Sequence, residues 1–201
     1  MIPPARPAIF SVYEVIRSNS QKHPNADALL APQVRALTHG QLADQVESVG
    51  RALRGAGIGR EDRVAVVLPN GPTMSSSFLG IAAYATCAPL NPSYRHDEYE
   101  FYLTDLAARA IVVPADADLP AREVARRLGL MVLELEPSPG QLAGAFTLRG
   151  SPADSAPPTD WGRNDDIALL LHTSGTTSLP KQVPLSHRNL CSSAHNIVSV
   201  L

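Results

Sequence analysis

The stretch IALLLHTSGTTSLPK, residues 167–181, joins a strongly apolar run to a loop rich in hydroxyl groups. The run 167–171 shows no polar alternation, which is typical of a strand buried on both faces of a parallel sheet. In the loop, Gly175 allows positive φ and a close approach of the backbone to a ligand. Lys181 adds a mobile positive charge suited to phosphate oxygens. The pattern predicts a phosphate-binding loop, with hydroxyl donors at Thr173, Ser174, Thr176, Thr177 and Ser178.

A plainer interpretation of this loop is a Ser/Thr/Gly turn that joins two strands and leaves an exposed lysine. The length of the loop and its place after a buried strand favour phosphate binding, because ligands of α/β folds bind at the carboxyl edge of the sheet. The usual P-loop of NTPases is excluded, since it needs G-x-x-x-x-G-K-[ST] leading directly into a helix. Here Lys181 is followed by an extended segment, 182–185, and a helix is predicted to begin at Ser186, a good N-cap.

Upstream of the loop, predicted strands and helices alternate along the chain. One clear helix begins after Thr38, which forms a capping box with Gln41. The strands that follow are predicted at 64–68, 87–90, 111–113 and 131–135, and the helices between them at 74–84, 95–106 and 121–128. This alternation predicts an α/β fold, a layered domain around a parallel sheet with right-handed crossovers.

The segment 136–163 interrupts this alternation with five prolines and four glycines. A Pro/Gly-rich surface connection with partial order near Phe146 is the preferred interpretation, and a domain boundary is the alternative.

Composition narrows the classes of partner. The net charge of −2 indicates no general attraction to nucleic acid or to an anionic membrane. The sequence predicts no secretory signal and no membrane span, and therefore an intracellular protein. Cys87 and Cys191 are predicted to be free thiols, and the histidines show no zinc-ligand spacing with them. No metal site built from protein ligands alone is expected.

Residues 173–181 resemble the signature of the adenylate-forming superfamily, which comprises acyl-CoA synthetases, 4-coumarate–CoA ligases, luciferases and peptide-synthetase adenylation domains. The segments 62–70 (DRVAVVLPN), 88–92 (APLNP) and 98–103 are similar to the family's opening segments, in the expected order. HTSGTTS at 172–178 most resembles the oxalate–CoA ligase type, a group with plant peroxisomal-type acyl-activating enzymes. Two positions depart from the family pattern, since Ser178 and Gln182 stand where glycine is usual. The larger Gln182 is expected to restrict how far the loop can flex.

The resemblance implies that residues 1–201 form the front part of the large N-terminal, AMP-binding domain of an adenylate-forming enzyme. By that resemblance ATP is held at its β- and γ-phosphates, Mg2+ bridges phosphate oxygens, a small carboxylic acid attacks the α-phosphate, and CoA then displaces AMP. The cofactor-binding residues so implied are Thr173, Ser174, Gly175, Thr176, Thr177, Ser178 and Lys181.

The family's catalytic lysine belongs to a C-terminal domain expected beyond residue 201, so no catalytic residue is assigned within the chain. The resemblance therefore implies the N-terminal fragment of an acid–thiol ligase, inactive as the isolated chain and located in the cytoplasm or peroxisome. The alternative is a truncated non-catalytic product that acts as a weak phosphate binder or an interaction module.

Overall fold

A computed structural model of the chain describes residues 11–138, 142–151, 159–173 and 180–200. Its helices are α1 (Val12–Lys22), α2 (His39–Gly55), α3 (Pro72–Ala82), α4 (His96–Asp105), α5 (Pro120–Arg127) and α6 (His187–Val198). Its strands are β1 (Asp27–Leu29), β2 (Leu37–Thr38), β3 (Arg63–Val66), β4 (Thr86–Pro89), β5 (Ala110–Pro114), β6 (Met131–Pro137), β7 (Phe146–Arg149), β8 (Ile167–Thr173) and β9 (Lys181–Ser186).

Seven of these strands form one sheet in the order β7-β6-β5-β3-β4-β8-β9. The five inner strands are parallel, and β7 and β9 pair antiparallel at the two edges. Strands β1 and β2 form a separate antiparallel pair. The predicted α/β fold around a parallel sheet is therefore confirmed.

Helices cover both faces of this sheet. Along β3, the side chains of Val64 and Val66 pack into a core with α1, α2 and α3, while Ala65 packs into a second core with α4 and α5. Successive side chains of a strand point to opposite faces, so both sets are removed from water. This arrangement explains why the strand has no polar alternation, as the sequence indicated.

Helix α2 begins where its capping box predicts. The Thr38 hydroxyl accepts a hydrogen bond from the Gln41 N–H at 3.3 Å, and the Gln41 side-chain oxygen accepts one from the Thr38 N–H at 3.0 Å. The helix crosses α3 closely at Gly80, where an added Cβ would lie 2.9 Å from Cγ2 of Val49. A glycine at this position therefore lets the two helices approach.

The segment 136–163 is ordered at Phe146, where partial order is predicted. Its residues 146–149 form β7, and Phe146 is only 3% exposed. The Gln45 side chain donates to the Phe146 carbonyl at 2.8 Å and accepts from its N–H at 3.1 Å. That this order is an edge strand is hard to predict, because the strand is four residues long and is held by a side chain about a hundred residues away. Residues 139–141 and 152–158 of the segment lie outside the described ranges.

The start of α6 is tied to the start of α1. Ser186 is the N-cap that the sequence predicts, with its hydroxyl accepting from the Asn189 N–H at 3.3 Å. The next residue, His187, is 1% exposed, and its Nδ1 accepts a hydrogen bond from the Val12 N–H at 3.1 Å. Burial lowers the pKa of His187 below 6.5, against the opposing charges of Asp166 and Glu14. The neutral imidazole is therefore the form that joins the two helices.

Because His187 is buried in its neutral form, we expect the fold to lose stability in mild acid. The unfolded chain takes up the proton near pH 6.5 while the folded chain resists it, so the unfolding free energy falls as the pH drops from 6.5 towards the lowered folded pKa. The slope is up to about 1.4 kcal/mol per pH unit. Urea unfolding between pH 7.5 and 5 should show a shallower pH slope in His187→Asn. The same substitution at the exposed His195 of α6 is the control, and equal slopes in all three proteins would contradict the prediction.

Candidate phosphate-binding site

Two of the seven predicted phosphate-binding residues lie in the described part of the chain. Thr173 ends β8, Lys181 begins β9, and the two are the last aligned pair of the β8–β9 ladder. The Thr173 hydroxyl lies 3.5 Å from the Lys181 carbonyl. The other five predicted residues, Ser174, Gly175, Thr176, Thr177 and Ser178, lie outside the described residues. The structure thus places the base of the loop, and the phosphate-binding role stays a prediction.

The extended segment predicted after Lys181 is strand β9. It pairs with β8 over six aligned positions, from Ile167 opposite Ser186 to Thr173 opposite Lys181. The two ends of the loop are therefore held side by side. The Lys181 side chain is exposed, and among the described residues it forms no ion pair. Its ammonium group is thus available to an anion.

Strand β8 leaves the parallel sheet before it reaches the loop. It aligns with β4 only at Leu169, opposite Cys87, and its ladder with β9 shifts register between Ile167 and Leu169. The base of the loop consequently contacts α4, at the helix end that leads into β5. The position predicted for the loop, at the carboxyl edge of the sheet, stays a prediction. The antiparallel partner β9 covers the extended segment predicted at 182–185.

The contact with α4 centres on the Asp105 carboxylate. Its Oδ2 lies 2.9 Å from His172 Nε2 and accepts a hydrogen bond from Gln182 Nε2 at 2.7 Å. Gln182 Nε2 also donates to the Asp105 carbonyl at 2.8 Å. Because a carboxylate only accepts hydrogen bonds, Nε2 of His172 is the protonated ring nitrogen. We refer to Asp105, His172 and Gln182 as the Asp105 network.

The His172 ring is enclosed beside the loop. Its side chain is 6% exposed, and the ring of Tyr102 meets it edge to face at a centroid distance of 4.8 Å. Within the described ranges, Nδ1 of this ring is buried without a hydrogen-bond partner. Sequence reasoning missed Asp105 altogether, because nothing in helix α4 marks one carboxylate as the partner of a loop 67 residues later.

Among the described residues, neither cysteine nor any acidic cluster adds a reactive or metal-binding group to the base of the loop. Both thiols are free, with Cys87 buried and Cys191 half-buried, and burial raises the pKa of each. Such thiols are poor nucleophiles. The described residues contain no group of three or more His, Cys, Asp or Glu side chains arranged to hold a metal ion. Nor does any described helix combine the length and apolar character needed to cross a bilayer.

Comparison with known proteins identifies the class to which this fold and loop belong. Residues 16–200 match the family described as AMP-binding enzyme. Since the match covers most of the chain, the protein belongs to that family. The resemblance to adenylate-forming enzymes inferred from residues 173–181 is confirmed.

CoA ligases are among the relatives of this chain. The chain is 38% identical to the oxalate–CoA ligase of Arabidopsis thaliana over 191 residues, which cover 92% of this chain and 37% of the relative. It is 33% identical to the sulfoacetate–CoA ligase of Cupriavidus necator, over 95% of this chain and 38% of that protein. The chain thus spans little more than a third of the length of these relatives.

The fold also matches that of a solved structure. The crystal structure of apo MatB from Rhodopseudomonas palustris matches with a TM-score of 0.75 at 23% identity. The match covers 94% of this chain and 37% of MatB. At this level of identity the likeness shows the fold alone.

Because of its hydrogen bonds in the Asp105 network, we expect the Asp105 carboxyl group to have a lowered pKa. Hydrogen bonds from Gln182 and then His172 lower the pKa of Asp105 below its ordinary value of 3.8. The stabilisation from this carboxylate is therefore present above the unfolded pKa and is lost as the pH falls through the folded one. Carboxyl-carbon NMR should show Asp105 titrating below 3.8, and Gln182→Leu should raise its pKa because the largest cause is removed.

Gln21→Leu, at an exposed position of α1, is the matched control and should leave the Asp105 titration unchanged. An Asp105 resonance that titrates at the same pH in wild type and Gln182→Leu would contradict the assignment of these hydrogen bonds.

Proposed function

We propose that this chain binds the phosphate groups of ATP in an AMP-forming acid–CoA ligase. The observation that carries the proposal is the placement of Lys181, which is exposed and held opposite Thr173 at the base of a Ser/Thr/Gly loop. Membership of the AMP-binding enzyme family and the identity to CoA ligases support it.

The proposed reaction has two steps. In the first, a substrate carboxylate attacks the α-phosphorus of ATP, the bond to the β-phosphate oxygen breaks, and an acyl-adenylate and pyrophosphate form. In the second, the CoA thiol attacks the acyl carbon, loses its proton, and expels AMP to leave a thioester. Because negative charge develops on pyrophosphate in the first step, a fixed cation and aligned hydroxyl donors beside it stabilise the transition state.

Within this proposal, each predicted residue has a part in binding the β- and γ-phosphates. The Lys181 ammonium neutralises charge, and hydrogen bonds come from the loop residues Thr173, Ser174, Gly175, Thr176, Thr177 and Ser178. Mg2+ would supply further charge neutralisation when bound.

The substrate class proposed is a small carboxylic acid. Oxalate is the first candidate, on the identity to the Arabidopsis thaliana oxalate–CoA ligase, with sulfoacetate and hydroxycinnamates as comparisons suggested by other relatives. An intracellular location, in the cytoplasm or peroxisome, belongs to the same proposal. The chain spans about a third of these relatives, so the complete reaction is proposed for a protein of their length.

Phosphate binding by the chain itself is the direct test. Titration calorimetry with inorganic pyrophosphate and with ATP should show binding by the wild-type chain. Lys181→Ala should weaken it about 10- to 100-fold, since hydrogen bonds to charged groups contribute about 1.5–3 kcal/mol. The chain has only two lysines, so Lys22→Ala at the exposed end of α1 is the matched control and should bind like wild type.

Equal affinities of wild type and Lys181→Ala for both ligands would overturn the proposed role of the loop. ATP–pyrophosphate exchange with oxalate, measured on the same proteins, adds a second readout. Exchange that is abolished by Lys181→Ala would show that the 201-residue chain completes adenylation. Binding without exchange would show that this chain binds phosphate but does not catalyse adenylation by itself.

A further inference from the structure

We propose that the Asp105 network is a positioning device that fixes the spacing and orientation of Thr173 and Lys181. The inference rests on the proposed phosphate-binding function of these two residues. It assigns Asp105, His172 and Gln182 a role in ligand binding although none of them is predicted to touch the ligand.

The register of the hairpin brings the network next to the loop. His172 and Gln182 are directly opposite each other in the β8–β9 ladder, one step before the pair Thr173 and Lys181. Side chains of directly opposed residues lie on the same face of a ladder. Both therefore reach the same carboxylate, and a single oxygen of Asp105 links the two strands at the loop's base.

Apart from its ladder with β8, strand β9 is only shallowly packed. No residue of β9 is fully buried, and its outer edge has no strand partner among the described residues. An open cavity of about 490 Å³ lies between the hairpin and the starts of the parallel strands, with Gln182 and Pro184 on one side and Arg63 and Thr86 on the other. Since apolar packing does not anchor this strand end, its tie to α4 is the polar contact with Asp105.

The hydrogen bonds of the Asp105 network are of a kind that restricts the motion of the residues they join. Hydrogen bonds to an ionised acceptor are shorter and stronger than neutral ones. The Gln182 side chain donates two hydrogen bonds to Asp105, one to the carboxylate and one to the backbone carbonyl. The bond to the carbonyl attaches β9 to the backbone at the end of α4. His172 is enclosed by the ring of Tyr102, so its own orientation is also fixed.

Glycine, which is usual in the family at the position of Gln182, has no side chain with which to make either contact. With glutamine at this position, the hydrogen bonds to Asp105 fix the backbone of β9 at residue 182. We infer that Lys181 in this chain is oriented before its ligand arrives, which lowers the ordering cost of binding.

Hydrogen–deuterium exchange on the ligand-free chain tests the Asp105 network without relying on phosphate binding. Gln182→Leu removes both hydrogen bonds at nearly constant size. Peptides that cover 169–173 and 181–185 should exchange about tenfold faster than in wild type, because opening free energies of locally held segments set exchange protection. Peptides from β3 and β4 should not change. Gln21→Leu is the control, and unchanged exchange at the hairpin in Gln182→Leu would overturn the proposal.

A pH series with Gln182→Glu separates hydrogen bonding from shape. The introduced carboxylate has the size of glutamine but faces Asp105 as a like charge at pH 7, so the hairpin should exchange faster than wild type. Protonation of this group near pH 4–5 restores one donor, and exchange corrected for its intrinsic pH dependence should return towards wild type. A defect that persists unchanged across the series would show that the network acts only through packing, against the proposal.

Pyrophosphate affinity provides the functional readout. Gln182→Leu should weaken pyrophosphate binding about 3- to 10-fold, less than Lys181→Ala, because it loosens the cation without removing it. Wild-type affinity in Gln182→Leu together with faster hairpin exchange would overturn the positioning role. If the wild-type chain and Lys181→Ala are equally unable to bind, the proposed function fails, and the exchange results alone decide whether the Asp105 network fixes the strand ends.

Discussion

The structure depends on burying the inner strands of the sheet on both faces at once. Val64, Ala65 and Val66 of β3 are all 0% exposed, although their side chains point alternately to the two helical layers. A single unpaired polar side chain in this strand would be buried whichever face it took, at a cost of several kcal/mol. The apolar runs and the helices that alternate with them follow from that requirement.

The same requirement explains how much of the fold could be predicted. The strands that must be apolar on both faces, and the helices capped by Thr38 and Ser186, are specified by residues within a few positions of each other. Strand β7 is different, because its position at the sheet edge is fixed by Gln45 of α2. Strand β8 aligns with β4 only at Leu169, and no local pattern in the strand reveals this short pairing.

For the candidate site, the phosphate-binding groups could be predicted from the sequence, whereas the residues that hold them in place became visible only in the structure. The hydroxyls of the loop and Lys181 are recognisable from composition and order alone, since phosphate binding needs those groups whatever holds them. The support comes from α4, and its carboxylate at Asp105 meets His172 and Gln182 only after the chain has folded. The sequence carried one relevant signal, the glutamine at a position where glycine is usual in the family. The structure shows the hydrogen bonds that Gln182 makes, and the expectation that it restricts the loop stays a prediction.

The junction between α1 and α6 also carries the chain's single tryptophan. Trp161 stacks on Tyr13 at a centroid distance of 4.6 Å, and its neighbour Gly162 lies against the His187 ring so closely that an added Cβ would be 2.0 Å from Nε2. Three segments distant in the sequence therefore meet around one fluorophore, which also packs against the core on one face of the sheet. Its emission is a natural optical reporter of the docking of α1 and α6 onto that core.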